Sequence, residues 1–199
     1  MREEDYMNLY ISDTHFGHRN VINFDKRPFA DIEQMDRTLI DLWNDRVQAD
    51  DDVWILGDFC YRSGREPEWY LRQLKGHKHL IVGNHDIVTL ESPNAARYFE
   101  SIDTMVNCND CLNKENVQVI LMHYPIAEWP HIHRGAYHLF GHIHNRMDDT
   151  YYIMKNRERA FNAGCMINNY TPAGLREIIE NNKRFYERDS MIEKGNVIV

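Results

Sequence analysis

Five short apolar runs in this 199-residue chain each stop at a turn built from Gly, Asp, Asn or His. That repetition constrains the fold more than any single residue does. Asn8 to Ser12 runs into Asp13-Thr14-His15, Val53 to Leu56 into Gly57-Asp58, and His79 to Val82 into Gly83-Asn84-His85-Asp86. Val117 to Met122 then meets His123, and Ala136 to Phe140 meets Gly141-His142-Ile143-His144. Brief apolar segments bounded by turn formers read as buried strands. In α/β sheets, ligands sit in the crevice outside the carboxyl ends of the strands, so these polar turns are predicted to converge there.

The segments between the runs supply the helices of an α/β fold. Ile32, Met35, Leu39, Leu42 and Trp43 recur at helical spacing behind Asp31 and Gln34, which predicts an amphipathic helix from about Asp31 to Val47. A second helix is predicted from Glu66 to Leu74, so the first half reads strand, helix, strand, helix, strand. The later chain is richer in strands, with weaker candidates at Tyr151 to Met154 and Ala160 to Ala163. Thr171-Pro172 is expected to open a helix reaching about Asn182, with Thr as N-cap and Pro at the first helical position. Residues 183–199 read as a C-terminal extension, either a hairpin or a frayed tail. No repeat or linker divides the chain, so one domain is expected.

Charge and composition narrow the function classes. The 31 Asp and Glu against 23 Lys and Arg leave a formal charge of −8, which argues against wrapping duplex DNA by charge alone. The charged start Met1-Arg2-Glu3-Glu4-Asp5 does not resemble a signal peptide, and no window approaches the ~20 apolar residues of a membrane span. A soluble cytoplasmic protein with no membrane partner is expected. Cys60, Cys108, Cys111 and Cys165 lack the spacing of a disulfide framework, and the lone Cys108-x-x-Cys111 pair reads as free thiols. Asp50-Asp51-Asp52 lacks the Gly and Glu of a calcium loop and reads as a solvated turn. A serine-hydrolase elbow, a His-Glu-x-x-His pair and a Gly-Lys-Ser/Thr phosphate loop are all absent from the sequence.

The ordered blocks Asp13-Thr14-His15, Gly57-Asp58, Gly83-Asn84-His85-Asp86, His123 and Gly141-His142-Ile143-His144 resemble the calcineurin-like metallophosphoesterases. The likeness spans roughly residues 8 to 175 and is nearest, at Ile11-Ser12-Asp13-Thr14-His15-Phe16-Gly17-His18, to the small bacterial and bacteriophage members. It implies a single domain with a four-layer α/β/β/α sandwich of two mixed sheets flanked by helices. It also implies two divalent ions, Mn²⁺ first, with Fe²⁺, Zn²⁺ or Ni²⁺ as alternatives. Asp13, His15, Asp58 and His144 would hold one ion and Asp58, Asn84, His123 and His142 the other, Asp58 bridging them. Carboxylate, imidazole and amide oxygen without thiolate suit such ions. The implied activity is hydrolysis of phosphate esters, diesters ahead of monoesters, by hydroxide that the ions activate. His85 would be the general acid and Asp86 the residue that orients its ring.

The implied substrate is a small phosphate ester or nucleotide, with nuclease action on single-stranded or duplex DNA and a non-catalytic binding scaffold as the alternative readings. His18, Arg62, Arg65, Trp129, His131 and His133 are the candidate substrate contacts, because they lie next to, or in loops between, the ligand blocks. His77 and His79 lie at the far end of their strand and His138 inside one, so structural roles are expected for these three.

Overall fold

Side-chain alternation along each strand sets the layering. In the computed structural model, which describes residues 7–193, β1 (Asn8–Ile11) turns Leu9 and Ile11 to one side and Tyr10 to the other. Helices α1 (Arg19–Phe24) and α2 (Ile32–Arg46) follow, then β2 (Asp52–Ile55), α3 (Pro67–Leu71), β3 (His77–Ile81), α4 (Ile87–Glu91) and β4 (Phe99–Asp103). These four strands form one sheet in the order β1-β2-β3-β4, all parallel. An antiparallel pair, β5 (Met105–Leu112) and β6 (Glu115–Met122), starts a second sheet. Beside β6 lies β7 (Tyr137–Phe140); after α5 (Asp149–Lys155), β8 (Ala160–Asn162) completes it, and α6 (Leu175–Glu193) closes the described chain. The fold is therefore mixed α/β, two four-stranded sheets flanked by helices. Only the second sheet mixes strand directions; the first, expected to be mixed, is wholly parallel.

Three apolar clusters separate the layers. Leu9, Ile11, Val53, Ile55 and Leu80 pack one face of the first sheet against Met35, Leu39 and Trp43 of α2. The opposite face presents Tyr10, Leu56 and Ile81 to Val119, Leu121, Leu139 and Phe161, so the two sheets bury each other. Ile120, Phe140 and Ala160 on the outer face of the second sheet meet Tyr151 and Met154 of α5. Burying one such side chain is worth about 1.5–3 kcal/mol, and that sum carries the sandwich.

Most predicted elements appear within a few residues of their expected bounds, and the exceptions have local causes. Asp31 caps α2 by accepting from Gln34 N at 2.8 Å, and Gln34 Oε1 accepts from Ala30 N at 2.6 Å. The expected strand from Tyr151 to Met154 is instead part of α5. Asp148 caps that helix at Tyr151 N, and the i,i+3 pair Tyr151 and Met154 makes its buried face. Thr171-Pro172 does not start a helix. Ala173 exchanges two backbone hydrogen bonds with Tyr10 (2.9 and 3.0 Å), which holds the segment extended until α6 begins at Leu175. Residues 183–193, expected to be a hairpin or tail, continue α6, while 194–199 lie outside the described residues. Cys108 and Cys111 sit three apart on β5, on opposite faces, as free thiols.

His138 is a buried core histidine with both ring nitrogens satisfied. Nδ1 donates to Ile120 O at 3.1 Å and Nε2 accepts from Ile126 N at 3.3 Å. Burial lowers it to about 4, so the folded state favours the neutral ring. Its stabilising share is full above the unfolded value near 6.5 and is lost as pH falls from there towards 4. Between about pH 7 and pH 5 that share amounts to about 2 kcal/mol. Urea unfolding at those two pH values should therefore show a smaller pH-dependent loss in His138→Phe than in the parent. Equal losses would remove His138 as the cause.

Candidate metal centre

Every strand that leads into one of the polar turns delivers it to the same end of the sandwich. Asp13 and His15 follow β1, Asp58 follows β2, Asn84 follows β3, His123 follows β6, and His142 and His144 follow β7. The turns are tight because strand ends touch. Gly57 has φ +82°, and a Cβ there would collide with His123 and the Gly83 backbone. Five of the seven candidate ligands are non-glycine residues with left-handed backbones: Asp13 (φ 56°), His15 (50°), Asp58 (54°), His142 (68°) and His144 (53°). Such conformations cost about 1–3 kcal/mol each and persist where surrounding contacts impose them, characteristically at functional sites.

The side chains converge into two adjoining groups. One ligating atom each from Asp13, His15, Asp58 and His144 lies within 4.8 Å of the others. His15 Nε2 is 3.2 Å from His144 Nε2 and 3.5 Å from Asp58 Oδ2, and His144 Nε2 is 3.6 Å from Asp13 Oδ1. On the other side of Asp58, His123 Nε2 is 3.6 Å from Asp58 Oδ2 and 3.1 Å from Asn84 Oδ1, which also lies 2.9 Å from His142 Nδ1. Asp58 thus stands between the groups, with its Oδ1 accepting from His85 N at 2.8 Å.

The electrostatics suit a cation. Burial pushes Asp58 up to about 7, and the charges of Asp13 and Asp86 add to that while His123 opposes it. Burial, then His144 and Arg27, hold His15 well below its ordinary value, and its buried Nδ1 has no hydrogen-bond partner. A buried carboxylate whose ionisation is penalised, as at Asp58, and a buried ring held unprotonated, as at His15, are relieved together by a divalent ion.

Around the candidate ligands, the predicted residues divide. His85 is half-buried on the rim, its ring 4.1 Å from that of Tyr61 and 5.5 Å from that of His15. Asp86 does not orient that ring: both its carboxylate oxygens accept backbone N–H groups, from Gly83 (2.7 Å), Asp58 (2.9 Å) and Phe59 (2.9 Å). It pins the β2 and β3 turns together instead. His18 reaches the centre, its ring 5.4 Å from His15 and 5.0 Å from Tyr61. Arg62 is exposed and lies over Tyr61 at 5.1 Å. Arg65 is committed elsewhere, paired with Glu33 at 2.9 Å and lying 4.0 Å over Trp69. Trp129 is a core residue rather than a substrate contact, with its indole N–H given to Ala136 O at 2.9 Å. His131 precedes, and His133 lies within, a short 3-10 turn over Ile132–Arg134, both side chains exposed. His77 and His79 lie on β3 near Glu100 and Asp52 (3.5 and 3.2 Å).

Two buried residues beside the centre carry no signal in the sequence. Asp25 accepts from His144 Nδ1 at 2.8 Å, and Arg27 donates through Nε to Asp25 at 3.0 Å. Neither belongs to a motif; Asp25 caps the end of α1, and Arg27 just beyond it meets the backbone of Asp13 and Thr14.

No family model matches the chain. An uncharacterized protein of Methanocaldococcus jannaschii is 28% identical over 190 residues, covering 94% of this chain and 92% of that one. The gene 66 protein of Mycobacterium phage L5 is 27% identical over 161 residues, covering 69% of this chain and 77% of its own. Among solved structures, a protein of unknown function from Aquifex aeolicus has a TM-score of 0.66 at 24% identity, covering 88% of this chain and 99% of that chain. The likeness to it is one of fold. Among the described residues, no helix is long and apolar enough to cross a membrane.

Proposed function

We propose that this chain is a dinuclear metal-dependent phosphoesterase of the calcineurin-like type, acting on phosphodiesters ahead of monoesters. The observation that carries the reading is the convergence of Asp13, His15, Asp58 and His144 within 4.8 Å from three separate strand ends, with Asp58 also 3.6 Å from His123, which in turn meets Asn84. The layer order, with α2 on the outer face of the first sheet and α5 on that of the second, supports the four-layer sandwich that the sequence resemblance implies.

The donor set fits the ions. Asp13, His15, Asp58 and His144 would hold one, and Asp58, Asn84, His123 and His142 the other. The absence of thiolate among these donors favours Mn²⁺, Fe²⁺ or Zn²⁺ at an open catalytic site over a closed structural zinc. Bound dications supply Lewis acidity, neutralising phosphoryl oxygens and acidifying water. The chain's own residues do the remainder. Asp86 and Gly57 hold the β2 and β3 turns in register, and Tyr61 packs the His85 ring at the rim. His85 carries a proton on its imidazole to the departing alkoxide. A cytoplasmic setting belongs to the same reading and suits four free cysteines.

The test is turnover of bis(p-nitrophenyl) phosphate against p-nitrophenyl phosphate by metal-depleted protein reloaded with Mn²⁺. Mn²⁺-dependent hydrolysis is expected, faster for the diester. Protein that takes up Mn²⁺ but hydrolyses neither ester would overturn the enzymatic reading in favour of a binding scaffold.

A further inference from the structure

Asp25 and Arg27 lie outside the ligand set, yet both are almost completely buried against it, with side-chain exposures of 4% and 0%. All three guanidinium nitrogens of Arg27 are engaged. Nε and Nη2 reach Asp25 Oδ2 at 3.0 and 2.9 Å, Nη2 also donates to Asp13 O at 2.8 Å, and Nη1 donates to Thr14 O at 2.9 Å. One side chain thus grips the turn that bears Asp13 and His15 and, through Asp25, the turn that bears His144. Asn145 Nδ2 adds a second tie between the same loops, donating to Asp25 O at 3.0 Å.

We propose that Asp25 and Arg27 are positioning residues forming a buried brace that fixes His144 in the Nδ1–H tautomer, with its Nε2 lone pair turned into the ligand cluster before any ion arrives. For the neutral ring the geometry leaves little alternative. An ionised carboxylate only accepts, so the 2.8 and 2.9 Å contacts from Asp25 to His144 Nδ1 require a proton on that nitrogen. Nε2 of the neutral ring is then bare, and it is the nitrogen that faces Asp13 and His15. Arg27 neutralises Asp25, so the orientation is achieved without adding net charge behind the site. His123 is set the same way by a backbone carbonyl, Leu56 O at 2.7 Å, whereas His15 Nδ1 has no partner at all. A pair kept only for stability is the competing account. It is weak, because apolar replacements of buried ion pairs are often as stable, while a carboxylate behind a ligating histidine commonly sets 10–100-fold of metal affinity.

The inference rests on the metal reading of this site, and its test separates the two. In the metal-free parent at about pH 9, where imidazole is ordinarily neutral, ¹H–¹⁵N long-range spectra of the ring should show His144 protonated at Nδ1. In Asp25→Leu/Arg27→Met the tautomers should mix. Calorimetric titration with Mn²⁺ should then show the tighter binding step weakened about 10–100-fold, with cooperative unfolding of the metal-free variant retained. A parent His144 protonated at Nε2, or a folded double variant that binds Mn²⁺ as tightly as the parent, would overturn the brace. If the variant does not fold, the parent spectrum decides alone. A parent that binds no Mn²⁺ overturns the metal reading, and the spectrum still decides the tautomer.

Discussion

Asp58→Asn is expected to abolish Mn²⁺-dependent ester hydrolysis and, at the same time, to make the metal-free protein more resistant to heat at about pH 8. Both effects follow from one placement. Asp58 is 2% exposed between His15 and His123, with Asp13 and Asp86 nearby. Burial first, then those two carboxylates, raise it to about 7. For an acid raised on folding the sign is unfavourable: the penalty accrues as pH rises from the unfolded value near 3.9 to the folded one and is complete above it. An amide removes that penalty while keeping an oxygen for His85 N. The lost attraction to His123 offsets part of the gain, leaving about 1 kcal/mol, or about 2–4 °C in a chain of this size. In the dinuclear reading Asp58 is also the shared anionic ligand, so the substitution would remove that charge from both groups. Thermal unfolding with chelator and with excess Mn²⁺ separates the two effects: the variant should melt higher than the parent in chelator and gain little from Mn²⁺. A variant that gained as much from Mn²⁺ as the parent would remove Asp58 from the metal centre.

His85→Ala should lower kcat for bis(p-nitrophenyl) phosphate by on the order of 10²-fold with Mn²⁺ content unchanged. Apart from its backbone N–H bond to Asp58, His85 takes no part in the ligand cluster, and its ring stands at the rim against Tyr61. Protonating the leaving group matters more as that group becomes more basic. The deficit should therefore be larger for a phenyl or alkyl ester than for a nitrophenyl ester. A deficit that stayed constant across leaving groups would assign His85 to binding or to the shape of the β3 turn, and metal analysis of the variant checks that the ions remain.

The turns that carry the candidate ligands are legible because each follows a short apolar run, and a buried strand that ends in polar residues can place them only at its edge. The helix α2 was legible through its 3.6-residue period and the Asp31 cap. Tyr151 to Met154 misled because four residues of that composition suit a strand as well as a helix, and the deciding contacts came from Asp148 and from the outer face of the second sheet. Thr171-Pro172 carried a sound local signal for a helix start that Tyr10, far away in sequence, overruled. Asp86 follows His85 directly, yet three backbone donors from two strand ends claim its carboxylate.

Sequence alone determined that Asp13, His15, Asp58, Asn84, His123, His142 and His144 would leave their strands at one end of an α/β fold, since strand periodicity and turn chemistry are local properties of the chain. Tertiary structure decided everything that depends on who arrives opposite. It imposed the left-handed backbones of five candidate ligands, the commitment of Arg65 to Glu33 and of Trp129 to the core, and the buried Asp25–Arg27 pair behind His144. Those choices are set by hydrogen-bond partners and buried volume contributed from distant segments, and no local pattern encodes them.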